Sequence, residues 1–493
     1  MSTDPMMTES GTFSIEQNGL DVITEAERKG KPRDLFWPWC AANISVFGLS
    51  YAAFVLFFGL NIWQALLASI VGTVLSFVLV GLVSLAGKRG SAPTMVLSRA
   101  SFGVRGNALP SLVGYLILVG WEIVLVSLAV LATATIFKDL GWSSGDFTKV
   151  VAFLVVVAII ILAGIIGFDL IMRLQMVITV ATVVITVGYI LLTVDELNWD
   201  RINGMASGSL TAVIGALLLM MTAFGLSWTN SAADYSRYLP RSASSAGVVG
   251  WTLFGSAIAP VILLVYGLLL VGSRPGLIGK ISADPIGTLA DLLPTWYLVP
   301  FVVVAVLGLI AGAVLDIYSS GLTLLALGLP VKRWMAAGLD GVLMIIGSIY
   351  VVWVAQDFIG PFTGFLITLG VPITAWCGVF LADLALRKRD YDDAAFFDLK
   401  GRYGSENWVS IGLMLLATGL GWGLVVNFAD GFSWEGYLLG PFGLGGKDGT
   451  WGVANLGVAV AFVVCFVGYY VLCGQRVSHQ ETSQVAQGEP GRV

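Results

Sequence analysis

The chain has 493 residues, of which 57% are hydrophobic and only 12% are charged, and its formal net charge is −5. Soluble domains carry about 25% charged residues, so this composition excludes an ordinary soluble protein. Apolar runs such as residues 150–168 and 458–473 approach or reach the length of roughly 20 residues that spans a bilayer as a helix. They lack the alternating polarity of a membrane β-barrel. We therefore predict an all-α, polytopic membrane protein.

Twelve apolar segments are predicted as membrane spans. They follow a polar cytoplasmic N-terminal segment, residues 1–35, and precede a polar cytoplasmic tail, residues 474–493. The predicted spans lie at 36–59, 62–86, 110–137, 147–167, 171–194, 210–233, 246–272, 298–327, 334–355, 359–386, 407–428 and 451–473.

The distribution of basic residues supports this count, because cytoplasmic loops of membrane proteins are enriched in Lys and Arg. With a cytoplasmic N-terminus, 20 of the 26 Lys and Arg residues fall on the cytoplasmic side. The exceptions are Lys138, Lys149, Arg201, Arg274, Lys280 and Lys447. We therefore predict twelve spans in the cell membrane, plasma or inner, with both termini in the cytoplasm.

The order of the spans predicts an internal repeat. Five spans over residues 36–194 are followed by five spans of opposite direction over residues 210–386, and residues 407–473 add the last two. The sequence Phe-Gly-Leu-Ser occurs at 47–50 and again at 224–227, near the middle of the first and sixth spans. We expect the two copies to meet at the bilayer midplane.

Both copies predict a broken helix. Gly48 and Gly225 favour a break, and the freed backbone groups are tolerated in a membrane only where they line a cavity. In transporters such carbonyls coordinate a cation, and the ends of half-helices bind substrate. Ser50 and Ser227 could add hydroxyl contacts. The alternative is that small residues pack the helices closely, as is common in membranes.

Two carboxyl groups lie deep in predicted spans, Glu122 in span 3 and Asp316 in span 8. A charge at mid-membrane costs roughly 2.5 kcal/mol or more, so such groups usually face a cavity or a partner. Asp316 belongs to a ridge of small and polar residues at helical spacing. The ridge comprises Gly308, Gly312, Asp316 and Ser320. The alternative is that both groups are neutral carboxylic acids that only tie helices together.

Other charged residues lie near the predicted cytoplasmic ends of spans. Asp340 and Asp383 are expected to have no special role there. Asp234 and Arg237 close span 6 and could form ion pairs that influence an inner gate, but topology and helix anchoring explain them equally well.

Neither an enzyme nor a channel is expected. The four cysteines lie in or at the ends of apolar segments and are interpreted as small core residues, and the single histidine, His479, lies in the polar tail, so no metal cluster can be assembled. Only Glu122 and Asp316 remain as candidates for membrane-embedded catalysis. A channel would be expected to work as an oligomer with repeated pore elements.

Segments along nearly the whole chain resemble those of one transporter family. They are IEQNGLDVITEAERKG (15–30), WCAAN (39–43), FGLNIWQAL (58–66), GKRGSAPTMVLSRASFGVRGN (87–107), GWE (120–122), AADYSRYLP (232–240), DIYSSGL (316–322) and LADLALRKRDYD (381–392). In this order and spacing they resemble the nucleobase:cation symporter-1 family, in its cytosine–purine permease branch.

The resemblance implies a LeuT-like fold, a 5+5 inverted repeat plus two helices, with substrate held between spans 1, 3, 6 and 8. By position, Trp121 resembles the stacking residue of span 3, and Asp316 falls where related permeases often have an Asn that faces the site. The candidate substrate contacts are Ser50, Trp121, Glu122, Phe224, Gly225, Ser227, Trp228 and Asp316. The candidate cation ligands are Val46, Phe47, Gly48, Leu49, Gly312 and Asp316.

The coupling ion is left open between a proton and sodium. Sodium-coupled relatives place hydroxyl or amide side chains in span 8 about one turn before the Asp316 position, whereas residues 310–313 here read Ile-Ala-Gly-Ala. This departure favours proton coupling through Glu122 or Asp316, although backbone carbonyls of the first break could still bind sodium.

The function implied by the resemblance is import of a nucleobase, cytosine or a purine, by cation symport and alternating access. Alternatives are another heterocycle, such as allantoin, a hydantoin, uracil or a vitamin pyrimidine, and more distantly an amino acid. The expected partners are the base, H+ or Na+ and the lipid bilayer. We expect no cofactor, no nucleic acid, no metal beyond a transported sodium ion, and function as a monomer.

Overall fold

The computed structural model describes residues 19–142, 145–166, 168–329, 333–355, 357–427, 429 and 431–486. Within these residues the secondary structure is helical, and no strand occurs.

Fifteen helices carry the architecture of the described residues. They are α1 (Phe36–Asn43), α2 (Phe47–Leu56), α3 (Ile62–Gly90), α4 (Ala108–Asp139), α5 (Asp146–Ile166), α6 (Phe168–Thr193), α7 (Leu210–Met221), α8 (Ala232–Ser236), α9 (Ser245–Ser273), α10 (Leu277–Ala283), α11 (Thr295–Ala326), α12 (Arg333–Ile349), α13 (Ile359–Leu386), α14 (Trp408–Trp422) and α15 (Leu456–Ala486). π-Helical turns follow α7 at Thr222–Leu226 and α12 at Tyr350–Val354. Short helices connect spans at Thr94–Leu97, Arg99–Phe102, Trp199–Asn203 and Gly287–Ala290.

Each of the twelve predicted spans contains an apolar helix. Among the described residues, ten helices are long and apolar enough to cross a bilayer. The segments Pro32–Asn43 and Phe47–Leu56, which are bent relative to each other, form an eleventh span when they are counted as one. The shorter α14 lies at the position of the predicted eleventh span in the chain. The all-α multi-pass membrane protein predicted from composition is therefore confirmed.

The last helix is longer than the sequence predicted. The predicted tail begins at residue 474, but α15 continues to Ala486. The helix persists because a stripe of side chains at spacings of three and four residues stays buried beyond the apolar run. The stripe comprises Tyr469, Cys473, Val477 and Gln480.

The two halves of the first span are supported by α9. Both α1 and α2 pack on α9, and α4 packs along α11. Gly267 of α9 permits the approach of α2, because a Cβ atom at this position would lie 2.5 Å from the Leu49 carbonyl oxygen. Small residues allow such close contact between membrane helices.

A buried ion pair at the end of α13 is hydrogen-bonded to α15. The Arg387 guanidinium donates to both carboxylate oxygens of Asp383 at 2.6 and 2.9 Å. Tyr469 donates to Asp383 at 2.6 Å, and Arg387 donates to Gln480 at 2.6 Å. The two charged side chains are only 3% and 4% exposed. Asp383, predicted to have no special role, is therefore a structural anchor.

We expect Asp383→Asn to lower the stability of the detergent-solubilised protein. Removing one partner of a buried ion pair costs about 3–5 kcal/mol, because the remaining charge stays buried. Asp390→Asn is the control, since Asp390 is 46% exposed and pairs with Arg89 at 3.5 Å, and surface pairs contribute about 0–1 kcal/mol. Thermal unfolding followed by tryptophan fluorescence measures both variants. Equal melting temperatures for the two would contradict this role.

Candidate functional site

The first break lies just before the first Phe-Gly-Leu-Ser copy. Helix α1 ends at Asn43, α2 begins at Phe47, and the segment Pro32–Asn43 is bent by 66° from α2. The Ser45 hydroxyl accepts a hydrogen bond from the Phe47 amide at 3.3 Å, and the Ser45 carbonyl accepts one from the Gly48 amide at 2.8 Å. Ser45 therefore accepts hydrogen bonds from two amides at the start of the second half-helix.

The second break lies inside the second copy. Phe224 has non-helical angles, φ −113° and ψ −105°, within the π-helical turn. The freed Gly225 amide donates to the Ser76 hydroxyl of α3 at 3.0 Å, and the Ser227 hydroxyl donates to the Thr222 carbonyl at 2.6 Å. A Cβ atom at Gly225 would lie 2.3 Å from the Ser76 carbonyl carbon, so only glycine fits this approach to α3.

Three predicted substrate contacts have partners within the protein. Gly225 and Ser227 support the second break, and the Ser50 hydroxyl donates to the Pro285 carbonyl at 2.7 Å in the loop after α10. These residues shape the breaks in this conformation.

Two carbonyl oxygens that lie close to the glycines of α11 come from residues earlier in the chain than the predicted cation ligands. A Cβ atom at Gly308 would lie 3.3 Å from the Ile44 carbonyl oxygen, and one at Gly312 would lie 3.7 Å from the Ala42 carbonyl oxygen. By contrast, a Cβ atom at Gly48 would meet Leu263 of α9 at 2.9 Å, and the Val46 carbonyl accepts from the Leu49 amide at 3.0 Å. Of the predicted cation ligands, Gly312 of α11 thus lies close to the first broken span, whereas these contacts do not direct the Val46 carbonyl or Gly48 toward α11.

An aromatic wall joins both broken spans to α4 and α13. The Tyr51 ring lies 4.7 Å from that of Phe224 and 4.8 Å from that of Phe47. Phe362 of α13 links Phe47 to Trp121 of α4, with ring centroids 5.9 and 5.8 Å apart. The Trp121 indole nitrogen is buried without a hydrogen-bond partner in the described part of the chain.

Trp228 lies apart from this wall, on the other side of the second break. Its ring meets Trp39 of α1 edge-on at 5.7 Å, and Trp39 in turn meets Tyr235 of α8 at 5.3 Å. Of the aromatic residues predicted to contact substrate, Trp121 and Phe224 therefore share one wall, whereas Trp228 belongs to a second cluster.

The membrane carboxyl groups meet where α4, α11 and α12 pack together. Ser320 of α11 lies 2.9 Å from Glu122 Oε1 and also within hydrogen-bonding distance of Asp340 Oδ2. Glu122, Ser320 and Asp340 are fully buried, and Asp316 is 1% exposed. Asp316 lies one turn before Ser320 on the same face of α11, and its Oδ2 atom has no hydrogen-bond partner within the described residues.

Sequence reasoning missed Asp340. It was expected to lie near a helix end without a special role, but the structure buries it beside Glu122. A signal was present, because Asp340 is flanked by Gly338 and Gly341 within an apolar helix, and small residues mark close helix contacts in membranes.

The two gate candidates bind separate elements at the predicted cytoplasmic end. Asp234 accepts hydrogen bonds from the Thr94 amide at 2.7 Å and hydroxyl at 2.8 Å, which fixes the short helix Thr94–Leu97. Arg237 donates to the Tyr318 hydroxyl at 2.9 Å, the Tyr238 hydroxyl at 3.0 Å and the Gly19 carbonyl at 3.2 Å. We call Gly19, Arg237, Tyr238 and Tyr318 the inner latch.

Comparisons with known proteins agree on one family. The sequence model of the family described as "Permease for cytosine/purines, uracil, thiamine, allantoin" matches residues 22–453. YxlA of Bacillus subtilis (strain 168) is 24% identical over 482 residues, which cover 94% of this chain and 97% of YxlA. The cytosine permease of Escherichia coli (strain K12) is 27% identical over 378 residues, 74% of this chain and 78% of the permease.

A solved transporter has the same fold. The structure of Mhp1, a nucleobase-cation-symport-1 family transporter in a closed conformation with bromovinylhydantoin bound, superposes with a TM-score of 0.69. The identity is 16%, over 97% of this chain and 98% of Mhp1. This likeness confirms the predicted fold class.

We expect Arg237→Ala to open the predicted cytoplasmic end to small reagents. Ser319 is fully buried beside Tyr318 and 3.2 Å from the Tyr235 hydroxyl, so Ser319→Cys in a cysteine-free background reports access behind the inner latch. A membrane-impermeant thiol reagent added from the cytoplasmic side should react faster after Arg237→Ala, because three hydrogen bonds that close this end are lost.

Arg241→Ala is the matched control for this measurement. Arg241 pairs with Asp393 at 2.9 Å, and both side chains are about one-third or more exposed. Arg241→Ala therefore removes an ion pair at the protein surface and leaves the inner latch intact. An equal labelling rate in the Arg237 and Arg241 variants would contradict a closing role for the latch.

Proposed function

The chain belongs to the family of permeases for cytosine/purines, uracil, thiamine and allantoin, and on this premise we propose that it imports a nucleobase, cytosine or a purine, by symport with a cation. The family membership confirms the resemblance found in the sequence, and it makes the protein a transporter and not an enzyme. The identity of the substrate and the identity of the coupling ion are both proposed.

The observation that carries the proposal is the pairing of an aromatic wall with unpartnered polar atoms on adjacent helices. Trp121 offers a ring for stacking, and its indole nitrogen is a buried donor without a partner in the described residues. Asp316 Oδ2 is a buried acceptor that also has no hydrogen-bond partner in the described residues. Leaving such a group unsatisfied costs about 1–3 kcal/mol, which a bound ligand would recover.

A nucleobase has the chemistry that such a site would complement. It is planar, its faces stack on aromatic rings, and its edge presents N–H and C=O groups. A site that pairs with these edge groups discriminates strongly, because a wrong base leaves buried polar groups unpaired. In this proposal Trp121 stacks on the base, Phe224 borders it and Asp316 accepts one of its N–H groups.

Two alternatives remain within the same architecture. The family description includes uracil, thiamine and allantoin, and Mhp1 was solved with a hydantoin bound, so another planar heterocycle would fit the same wall. An amino acid is a more distant alternative, because it would leave the stacking surface of Trp121 without a planar partner.

Different features support each coupling ion. For sodium, the Ala42 and Ile44 carbonyls lie near the glycine face of α11, and Gln175 of α6 has a buried Oε1 atom without a hydrogen-bond partner among the described residues. The Gln175 amide nitrogen already binds the Ala311 carbonyl at 2.8 Å. For a proton, the carboxyl groups at Glu122 and Asp316 are available.

The proposed location is the plasma or inner membrane with both termini cytoplasmic, and the proposed functional unit is a monomer.

Uptake of radiolabelled cytosine and adenine by cells that lack their own nucleobase permeases tests the proposal. We expect accumulation above the external concentration and competition by the preferred base, measured with and without sodium and at two pH values. Unlabelled uracil, allantoin and a hydantoin serve as competitors that identify the alternatives. Cells that express the protein and accumulate no nucleobase would contradict the proposal.

We expect Trp121→Ala to weaken apparent affinity for the base, whereas Trp121→Phe should keep much of it. A base–aromatic stack contributes about 1–3 kcal/mol, and each 1.4 kcal/mol is about tenfold in affinity, so KM should rise by roughly fivefold to a hundredfold. Trp251→Ala is the control, since Trp251 on α9 is 40% exposed. The KM for uptake, corrected for protein in the membrane, is measured. An unchanged KM in Trp121→Ala would remove Trp121 from the site.

A further inference from the structure

Ser320 stands between two buried carboxyl groups that come from different helices. Its hydroxyl oxygen is within hydrogen-bonding distance of Glu122 on α4 and of Asp340 on α12. Each of the three side chains is 0% exposed. The cluster therefore joins three membrane spans away from water.

The number of hydrogen atoms available to the three side chains favours an extra proton in this cluster. A serine hydroxyl has one hydrogen to donate, and an ionised carboxylate can only accept. If Ser320 donates its one hydrogen fully to one carboxylate, a second full hydrogen bond requires that the other carboxyl group is protonated and donates to the Ser320 oxygen. The arrangement therefore favours protonation of one of Glu122 and Asp340.

The surrounding groups also favour a shared proton. The other carboxyl near Glu122 and Asp340 is that of Asp316, whose Oδ2 atom is buried and without a hydrogen-bond partner in the described residues. Tyr115 of α4 lies beside Asp340 and brings no positive charge to the cluster. Two neighbouring carboxyl groups in one buried site cannot both be ionised at low cost in free energy. The neighbours therefore oppose the loss of the proton.

We propose that Glu122, Ser320 and Asp340 bind the proton that is transported with the base. This inference rests on the proposed function and chooses between the two coupling ions that it leaves open. We call these three residues the proton triad. Glu122 adjoins Trp121 on α4, and Asp316 and Ser320 share one face of α11, so the base site and the proton triad use the same two helices.

The proton triad lies near the predicted cytoplasmic ends of α11 and α12. Ser320 is six residues from the end of α11 at Ala326, and Asp340 is seven from the start of α12 at Arg333, which at 1.5 Å per residue is about 10 Å. Tyr318 of the inner latch is two residues before Ser320. Opening the latch would hydrate the triad, and water would stabilise the second negative charge and permit proton release.

Transport by purified protein in proteoliposomes separates this inference from the proposed function. Exchange of labelled base for unlabelled base requires the base site alone, whereas accumulation driven by a pH gradient without sodium also requires the proton site. We expect wild type to do both, and Asp340→Asn to retain exchange and lose proton-driven accumulation. The control, Asp390→Asn, should retain both, because Asp390 is partly exposed outside the spans.

The outcomes of this experiment are distinguishable. No exchange in wild type contradicts the proposed function. Exchange in wild type together with undiminished proton-driven accumulation in Asp340→Asn contradicts the proton triad alone, as does accumulation that requires a sodium gradient.

Infrared spectroscopy provides a second test that does not depend on transport. The wild-type protein at neutral pH should show the absorption of a protonated carboxyl group, and this band should be lost or shifted in Glu122→Gln and in Asp340→Asn. Ser320→Ala keeps both carboxyl groups and should change the pH at which the band disappears. A band that is identical in all of these variants would overturn the assignment.

Discussion

A helix that stops inside a bilayer exposes N–H and C=O groups that lipid cannot satisfy, and the rest of this structure depends on how the two breaks are supported. The Ser45 hydroxyl binds the first amide of the second half-helix, and Ser76 of α3 binds the freed amide of Gly225. Glycines at 225 and 267 let neighbouring helices approach closely enough to supply this support. The two breaks are thus held by protein atoms, and the Ala42 and Ile44 carbonyls face α11.

Helix α11 connects the parts of the site along one face. Gly308 and Gly312 lie against the first break, Asp316 follows one turn later, and Ser320 joins the carboxyl groups of α4 and α12. This spacing of four residues keeps all four positions in one row. In our proposals the same row borders the cation region, the base and the proton triad, and Tyr318 beside it belongs to the inner latch. A shift of this one helix would therefore affect all of them together.

The sequence predicted the elements with one-dimensional signals and missed contacts between distant residues. Hydrophobic length predicted twelve spans, each of which contains an apolar helix, and the repeated Phe-Gly-Leu-Ser lies within a few residues of both breaks. Ser50 was predicted to contact substrate because nothing local shows that its hydroxyl reaches the carbonyl of Pro285, 235 residues away. The partnership of Glu122 with Asp340 requires three helices to pack, so the sequence revealed each carboxyl and not the cluster. The role of Asp316 toward substrate stays a prediction.

The central claim is that movement of a nucleobase and movement of a proton are one event. The most direct measurement is the ratio of protons to labelled base that enter sodium-free proteoliposomes, followed simultaneously with an internal pH indicator and by radioactivity. We expect a fixed ratio that does not change with the size of the base gradient or when sodium is added. Base entry without protons, or a ratio that falls to zero when sodium is supplied, would contradict it.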